Sequence, residues 1–186
     1  MAHDIDRIHA VSRDEQIRII ESVSRTGDMQ AIRKAILLLN HPDMEIRGEA
    51  FGSLALNGNE ISQVLIEALA HGEKNVRAFA ALILANRGDH DSVGPLRRLT
   101  VDQSPMVRSC ALGALGYLGA REAEAEIRGR FADKVLEVKK SALAAAIDVG
   151  LRITEREAAI LSEGGDDELD RLAASARPRC GPSETP

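Results

Sequence analysis

Residues 76–88 read VRAFAALILANRG and residues 107–119 read VRSCALGALGYLG, one pattern displaced by 31 positions. The pattern returns at 46–58 as IRGEAFGSLALNG and at 138–150 as VKKSALAAAIDVG. Each copy opens on a hydrophobic and cationic pair: Ile46-Arg47, Val76-Arg77, Val107-Arg108 and Val138-Lys139. An alanine column follows at Ala50, Ala80, Ala111 and Ala142, and four residues later stand Leu54, Leu84, Leu115 and Ala146. Spacings of four place these residues on one face of a helix, and that face is the buried one. Each copy ends on glycine, and Gly27, Gly58, Gly88, Gly119 and Gly150 are separated by 31, 30, 31 and 31 residues. A period of this length with helical patterning in every unit predicts a solenoid whose units pack only on their neighbours.

A second apolar stripe precedes each copy. It comprises Ala31, Ile32, Ala35, Ile36 and Leu39, then Ile61, Val64, Leu65, Ala68 and Leu69, then Val93, Leu96 and Leu99, then Ala123, Ile127 and Phe131. Each full unit is therefore a helical hairpin, with Asp28 and Asp91 expected as N-caps of first helices. Pro95 fits near a helix start, where its missing amide would have no intrahelical partner. The terminal glycines are expected to close the second helices in left-handed conformation.

The predicted fold class is all-α, a right-handed α-solenoid of helical hairpins forming an α-α superhelix. Four repeats span 27–150. A capping helix at 1–26 carries Ile17, Ile20 and Val23. C-terminal capping helices at 151–176 begin at the capping box Thr154 to Glu157, break at Gly164-Gly165, and place Leu169, Leu172 and Ala173 on one face. Residues 177–186 are expected to be disordered.

Composition narrows the function classes. Aromatic residues make up only 2% of the chain, with no tryptophan and Tyr117 as the single tyrosine, so small aliphatic side chains build the core. A net charge of −5, with basic pairs scattered at Arg33-Lys34, Arg97-Arg98 and Lys139-Lys140, argues against nucleic acid or an anionic membrane as partner. The two cysteines, Cys110 and Cys180, lie in unlike settings and suggest no disulfide framework. No signal-type apolar run occurs in Met1 to Ala10, and a cytoplasmic location is the default expectation.

The hydrophobic-arginine pair, the alanine and leucine columns and the terminal glycine resemble the HEAT-like repeat of the phycobilin lyase type, over about Gly27 to Gly150. That resemblance implies an armadillo-like helical array found in bilin lyases, deoxyhypusine hydroxylase, DNA glycosylases of related architecture and many scaffolds, and it does not choose an activity. The hydroxylase carries iron-binding His-Glu pairs, whereas His41, His71 and His90 are followed by Pro42, Gly72 and Asp91. His41, His71, Asp102 and Asp133 form a column of their own, read here as polar turn residues; equivalent backbone atoms about 10 Å apart suit a shared metal poorly. No cofactor or metal is expected. The cationic column Arg47, Arg77, Arg108 and Lys139 is read as structural, with Asp43 and Glu73 placed four residues before Arg47 and Arg77 for local pairing. Cys110 has no base marked beside it and is expected to behave as a small hydrophobe, so no catalytic residue is assigned.

Once the packing columns are removed, three rows remain on the second helices. They are Glu49, Phe79, Cys110 and Ser141; Gly52, Leu82, Gly113 and Ala144; and Leu56, Asn86, Tyr117 and Asp148. Phe79, Leu82 and Tyr117 form the expected apolar centre of a concave binding surface, rimmed by Glu49, Asn86 and Asp148. The expected function is a non-catalytic scaffold that binds a protein or peptide there. The alternative implied by the resemblance is a bilin-lyase-like chromophore chaperone or lyase subunit, and a nucleic-acid-binding HEAT-like protein is the weakest reading.

Overall fold

The computed structural model describes residues 11–163 and 165–176, so the expectations for Met1 to Ala10, Gly164, Cys180 and the 177–186 tail fall outside the described residues. Eleven α-helices and three 3-10 turns make up the described chain, and it contains no strand.

A lone helix, α1 (Arg13–Ser22), is followed by hairpins whose first and second helices are α2 (Met29–Leu38) and α3 (Met44–Ala55), then α4 (Ser62–Ala68) and α5 (Lys74–Asn86). The third and fourth units are α6 (Val93–Leu99) with α7 (Pro105–Tyr117) and α8 (Glu124–Gly129) with α9 (Leu136–Asp148). The last pair is α10 (Glu155–Ser162) and α11 (Asp167–Ser175). Each first helix packs on its own second helix, and the second helices form a continuous row in which α3, α5, α7 and α9 each lie against the next. Helix α1 joins this row at one end, against α3, and α11 joins it at the other, against α9. The molecule is an α-solenoid, two layers of helices deep.

The columns read from the sequence are the core of that row. Ala50, Ala80, Ala111 and Ala142 are fully buried, as are Leu54, Leu84, Leu115 and Ala146 and the valines or isoleucine that open each second helix. Alanine at the crossing lets neighbouring helices approach, while the leucine one turn later fills the space beside it. One close approach lies between α7 and α9. A methyl group on Gly116 would stand 2.9 Å from Ala145 Cα and 3.3 Å from Ala145 Cβ. The chain extends this register into its last hairpin, where Leu169 and Ala173, 31 residues beyond Val138 and Ala142, are also buried. Leu172 departs from the sequence expectation: it lies on the outer side of α11 and stays exposed.

Two kinds of helix end replace the single kind expected. Gly88, Gly119 and Gly150 have φ of 68°, 63° and 74°, in the left-handed region that costs a side-chain-bearing residue more than glycine. At each the following amide reaches back five residues, as from Asp89 N to Leu84 O at 3.0 Å, closing a Schellman turn. Gly27 and Gly58 do not adopt this conformation. In the first unit the buried amide of Asn57 closes the joint instead, donating to Val23 O at 2.6 Å and Thr26 O at 2.9 Å. One unit later Arg87, in the position equivalent to Asn57, donates to Asn57 O and to Asn59 O. The first two joints are thus held by polar side chains gripping the backbone of the preceding unit, and the later joints by buried Leu118 and Val149.

First helices start largely as the sequence predicts. Asp28 accepts from Gln30 N at 2.9 Å, and Thr154 and Glu157 form a reciprocal capping box. Asp91 is not a cap, because a 3-10 turn over His90–Ser92 intervenes and α6 starts after Ser92. Pro95 sits in the first turn of α6, where no hydrogen bond is lost.

Candidate functional site

The cationic column is consumed by the scaffold. Arg77 Nη1 donates to His71 O and Gly72 O, both at 2.8 Å, while its Nε and Nη2 bind the two oxygens of Asp102 at 2.8 and 2.9 Å. Arg108 repeats this one unit later, donating to Asp102 O and to both carboxylate oxygens of Asp133 at 2.9 Å. Each guanidinium therefore fastens its own inter-helix turn to that of the next unit. The carboxylate partner comes from the following repeat, 25 residues on, and not from Asp43 or Glu73. Asp43 caps α3 and pairs with Arg13. Arg47 donates to His41 O and Pro42 O, and Lys139 Nζ donates to Ile160 O and Glu163 O at the end of α10.

The His41, His71, Asp102 and Asp133 column is a set of turn acceptors. His41 Nδ1 and His71 Nδ1 accept the amides of Asp43 and Glu73 at 3.1 Å, and Asp102 and Asp133 accept those of Ser104 and Val135 at 2.8 and 3.0 Å. Burial opposes ionisation of Asp102 and Asp133, yet the arginine and backbone donors outweigh it and hold both carboxyls below 3.8. Cys110 is half-buried, and burial pushes its thiol up to about 11, away from the thiolate form that nucleophilic chemistry needs.

The three rows on the second helices are partly or wholly open to solvent. Phe79 and Leu82 are half-buried, Glu49 likewise, and Asn86, Tyr117 and Asp148 are exposed. Tyr117 is 69% exposed at the last residue of α7, and Leu56 is 80% exposed at the end of α3. Phe79 has a double role, since one side of its ring packs on the core and meets Phe51 edge-on at 6.3 Å between centroids and 75° between planes. Phe51 was not among the sequence-derived surface residues. It falls in the column of Ala81, Leu112 and Leu143, which are fully buried, and an aromatic ring is too large to vanish there. Met106, Leu136 and Ile147 are further apolar side chains left open on α7 and α9. Asn86 Nδ2 donates to Leu82 O at 3.3 Å, which ties the amide over the middle row.

The first helices present a different surface. Ion pairs cross from unit to unit there, Arg33 with Glu67, Arg97 with Glu126 and Arg128 with Glu157, each between 2.7 and 2.9 Å. A shallow groove between α2 and α4 is lined by Ile36, Leu37, Val64 and Ala68 under the Arg33–Glu67 pair. No helix among the described residues is long and apolar enough to cross a membrane.

Comparison with known proteins agrees with the architecture. One chain of the complex of CpcE and CpcF of phycocyanin lyase from Nostoc sp. is similar in structure, with a TM-score of 0.67 and 17% identity, covering 80% of this chain and 99% of that one. A designed armadillo repeat protein in complex with the peptide (KR)4 is similar with a TM-score of 0.54 and 17% identity, covering 94% of this chain and 97% of that one. A second designed armadillo repeat protein gives a TM-score of 0.55 at 18% identity over the same shares. At these identities the likeness is one of fold. No curated protein matches the chain in sequence. Residues 62–148 match the family model of HEAT repeats, over the units whose alanine, leucine and arginine columns are most regular, so that this stretch of the solenoid is built of HEAT-like repeats.

Proposed function

We propose that the chain is a non-catalytic interaction module that holds a protein or peptide on the concave face of its second helices. Phe79, Leu82 and Tyr117 form the apolar centre and Glu49, Asn86 and Asp148 the rim. The observation that carries this reading is Tyr117, the only tyrosine, left 69% exposed on a helix that is otherwise clamped between two neighbours. An exposed ring contributes nothing to the solenoid's own core and is the side-chain type that anchors interfaces. The candidate charged sites elsewhere, the arginine and aspartate columns, are already satisfied within the scaffold. Structurally similar chains found with a peptide or a second protein subunit lend general support to a protein partner.

Phe79→Ala and Tyr117→Ala test the reading in pull-downs from the native cell. Loss of partners from correctly folded variants is expected; unchanged capture by both would refute it. A second reading, a lyase-type chromophore chaperone, is favoured by the phycocyanin lyase likeness alone. It requires a change in the absorption spectrum of an added linear tetrapyrrole, whereas the module reading predicts none.

A further inference from the structure

Two residues in the turn of the fourth unit depart from the columns of the repeat. Three residues before the turn acceptors His41, His71, Asp102 and Asp133 stand Leu38, Ala68, Leu99 and then Arg130. Leu38 and Ala68 are buried, and Leu99 packs against the core. One residue after the same acceptors stand Pro42, Gly72, Gln103 and then Lys134. A solenoid repeats what its packing requires, so two charges introduced into one turn call for a reason outside that packing.

The scaffold does not satisfy them. Arg130 Nη1 lies 3.6 Å from Asp133, beyond hydrogen-bond distance, and both oxygens of Asp133 already accept from Arg108 at 2.9 Å. Arg130 Nε is buried and has no acceptor among the described residues, a costly state for a charged donor. Lys134 is exposed and has no partner among the described residues. Both side chains line one open cleft of about 300 Å³ between the α6–α7 and α8–α9 turns, together with Val101 and Ala132. Tyr117 stands at the opposite end of α7, so this cleft is separate from the second-helix face.

Charge along the turn edge favours an anion. The chain of ion pairs that links the turns sets Arg77, Arg108 and Arg130 against Asp102 and Asp133, and Lys134 adds a fourth cation, in a molecule whose net charge is −5. Beyond Lys134 the next cleft adds Lys139, Glu163 and Asp166, and Asp166 is answered by Lys140 at 3.2 Å. A phosphate monoester carries about −1.5 to −2 at pH 7 and three acceptor oxygens, enough to meet the fork of Arg130 with two and Lys134 with the third. A carboxylate brings a single charge and only two oxygens. The geometry points to a binding site for a phosphate monoester in this cleft, held by Arg130 and Lys134. The site does not depend on the interaction-module reading.

Arg130→Leu and Lys134→Gln test it with side chains that the chain already uses at these positions, Leu38 and Leu99 in one column and Gln103 in the other. Arg130→Leu removes a buried unpaired donor and restores the apolar column, so its thermal midpoint should equal or exceed that of wild type; lost binding then reports a lost site and not a damaged fold. The full chain is titrated with phenyl phosphate while the Nε–H signals of its arginines are followed by NMR. A saturable shift of the Arg130 signal is expected, with a Kd of about 1 mM, the strength that two charge-assisted contacts in an open cleft support. Arg130→Leu should weaken binding by about tenfold or more and Lys134→Gln by about threefold. Benzoate, which has the same ring and a carboxylate, should bind more weakly than phenyl phosphate. A pool of phosphoserine peptides with randomised flanks separates the sources: tighter binding than phenyl phosphate assigns the group to a partner protein, and equal or weaker binding assigns it to a small phosphate ester. No saturable shift at Arg130, benzoate bound as tightly as phenyl phosphate, or wild-type affinity in both variants overturns the proposal.

Discussion

Two glycines three residues apart in α7 make opposite predictions on replacement by alanine. At Gly113 the added methyl enters open space, so Gly113→Ala gains the helix-propensity difference of about 1 kcal/mol. At Gly116 the same gain is opposed by contact with Ala145 Cα at 2.9 Å, Asp148 Oδ2 at 3.0 Å and Ala145 Cβ at 3.3 Å. The carboxylate can swing aside, but the backbone of α9 cannot move without disturbing its whole packed face. Overpacking of this kind costs about 1–3 kcal/mol. Because propensity is common to both variants, the difference between them isolates the packing cost. For a chain of this size each kcal/mol shifts the midpoint by about 2–4 °C, so Gly116→Ala should unfold roughly 2–12 °C below Gly113→Ala. Thermal unfolding followed by circular dichroism measures this, and faster hydrogen exchange confined to α7 and α9 would locate it. Equal midpoints would refute the close α7–α9 approach on which the solenoid's register depends.

Asp102 and Asp133 have folded pKa values held below 3.8, so the stability they contribute is fully present above about pH 5 and is lost as pH falls through 3.8 toward the folded values. Denaturant midpoints should therefore drop between about pH 4 and pH 2, and Asp102→Asn with Asp133→Asn should lower the midpoint at pH 7 and flatten that drop. His71 occupies the turn position held by Asp102 and Asp133 in the next units; His71→Asp keeps the turn acceptor, offers Arg47 a carboxylate, and should raise stability by about 1 kcal/mol in urea titrations. In a Cys180→Ser background, Cys110 should react with a thiol reagent at pH 8 far more slowly than the unfolded chain does, since burial pushes its pKa up to about 11.

What the sequence disclosed follows from how often each interaction recurs. The alanine and leucine columns recur because every second helix meets the same environment on both sides, and so a fixed offset of about 31 residues exposes them. The partners of Arg77 and Arg108 were hidden, because helical spacing favours a residue four positions away over one 25 positions along in the next unit. Gly58 looked like its successors, yet Asn57 beside it carries the capping work through bonds to a preceding turn that no local pattern marks. On the candidate face, helical periodicity was enough to put Tyr117, Asn86 and Asp148 toward solvent. It could not divide Phe79 between core and surface, since the edge-on contact with Phe51 depends on the gap between α3 and α5. The open space over Gly52 and Gly113 was equally invisible, because spacing reports which residues share a face and not what lies above them.

Photo-crosslinking in the native cell tests the interaction face most directly. A photoreactive amino acid is placed at position 117 on the second-helix face or at position 37 on the first-helix face, where the wild-type side chains are comparably open, 69% for Tyr117 and 56% for Leu37. Discrete protein adducts from position 117, competed away by unlabelled wild-type chain and missing from position 37, are the predicted result. Adducts arising from position 37 alone, or equally from both, would contradict the assignment of the binding surface to the second helices.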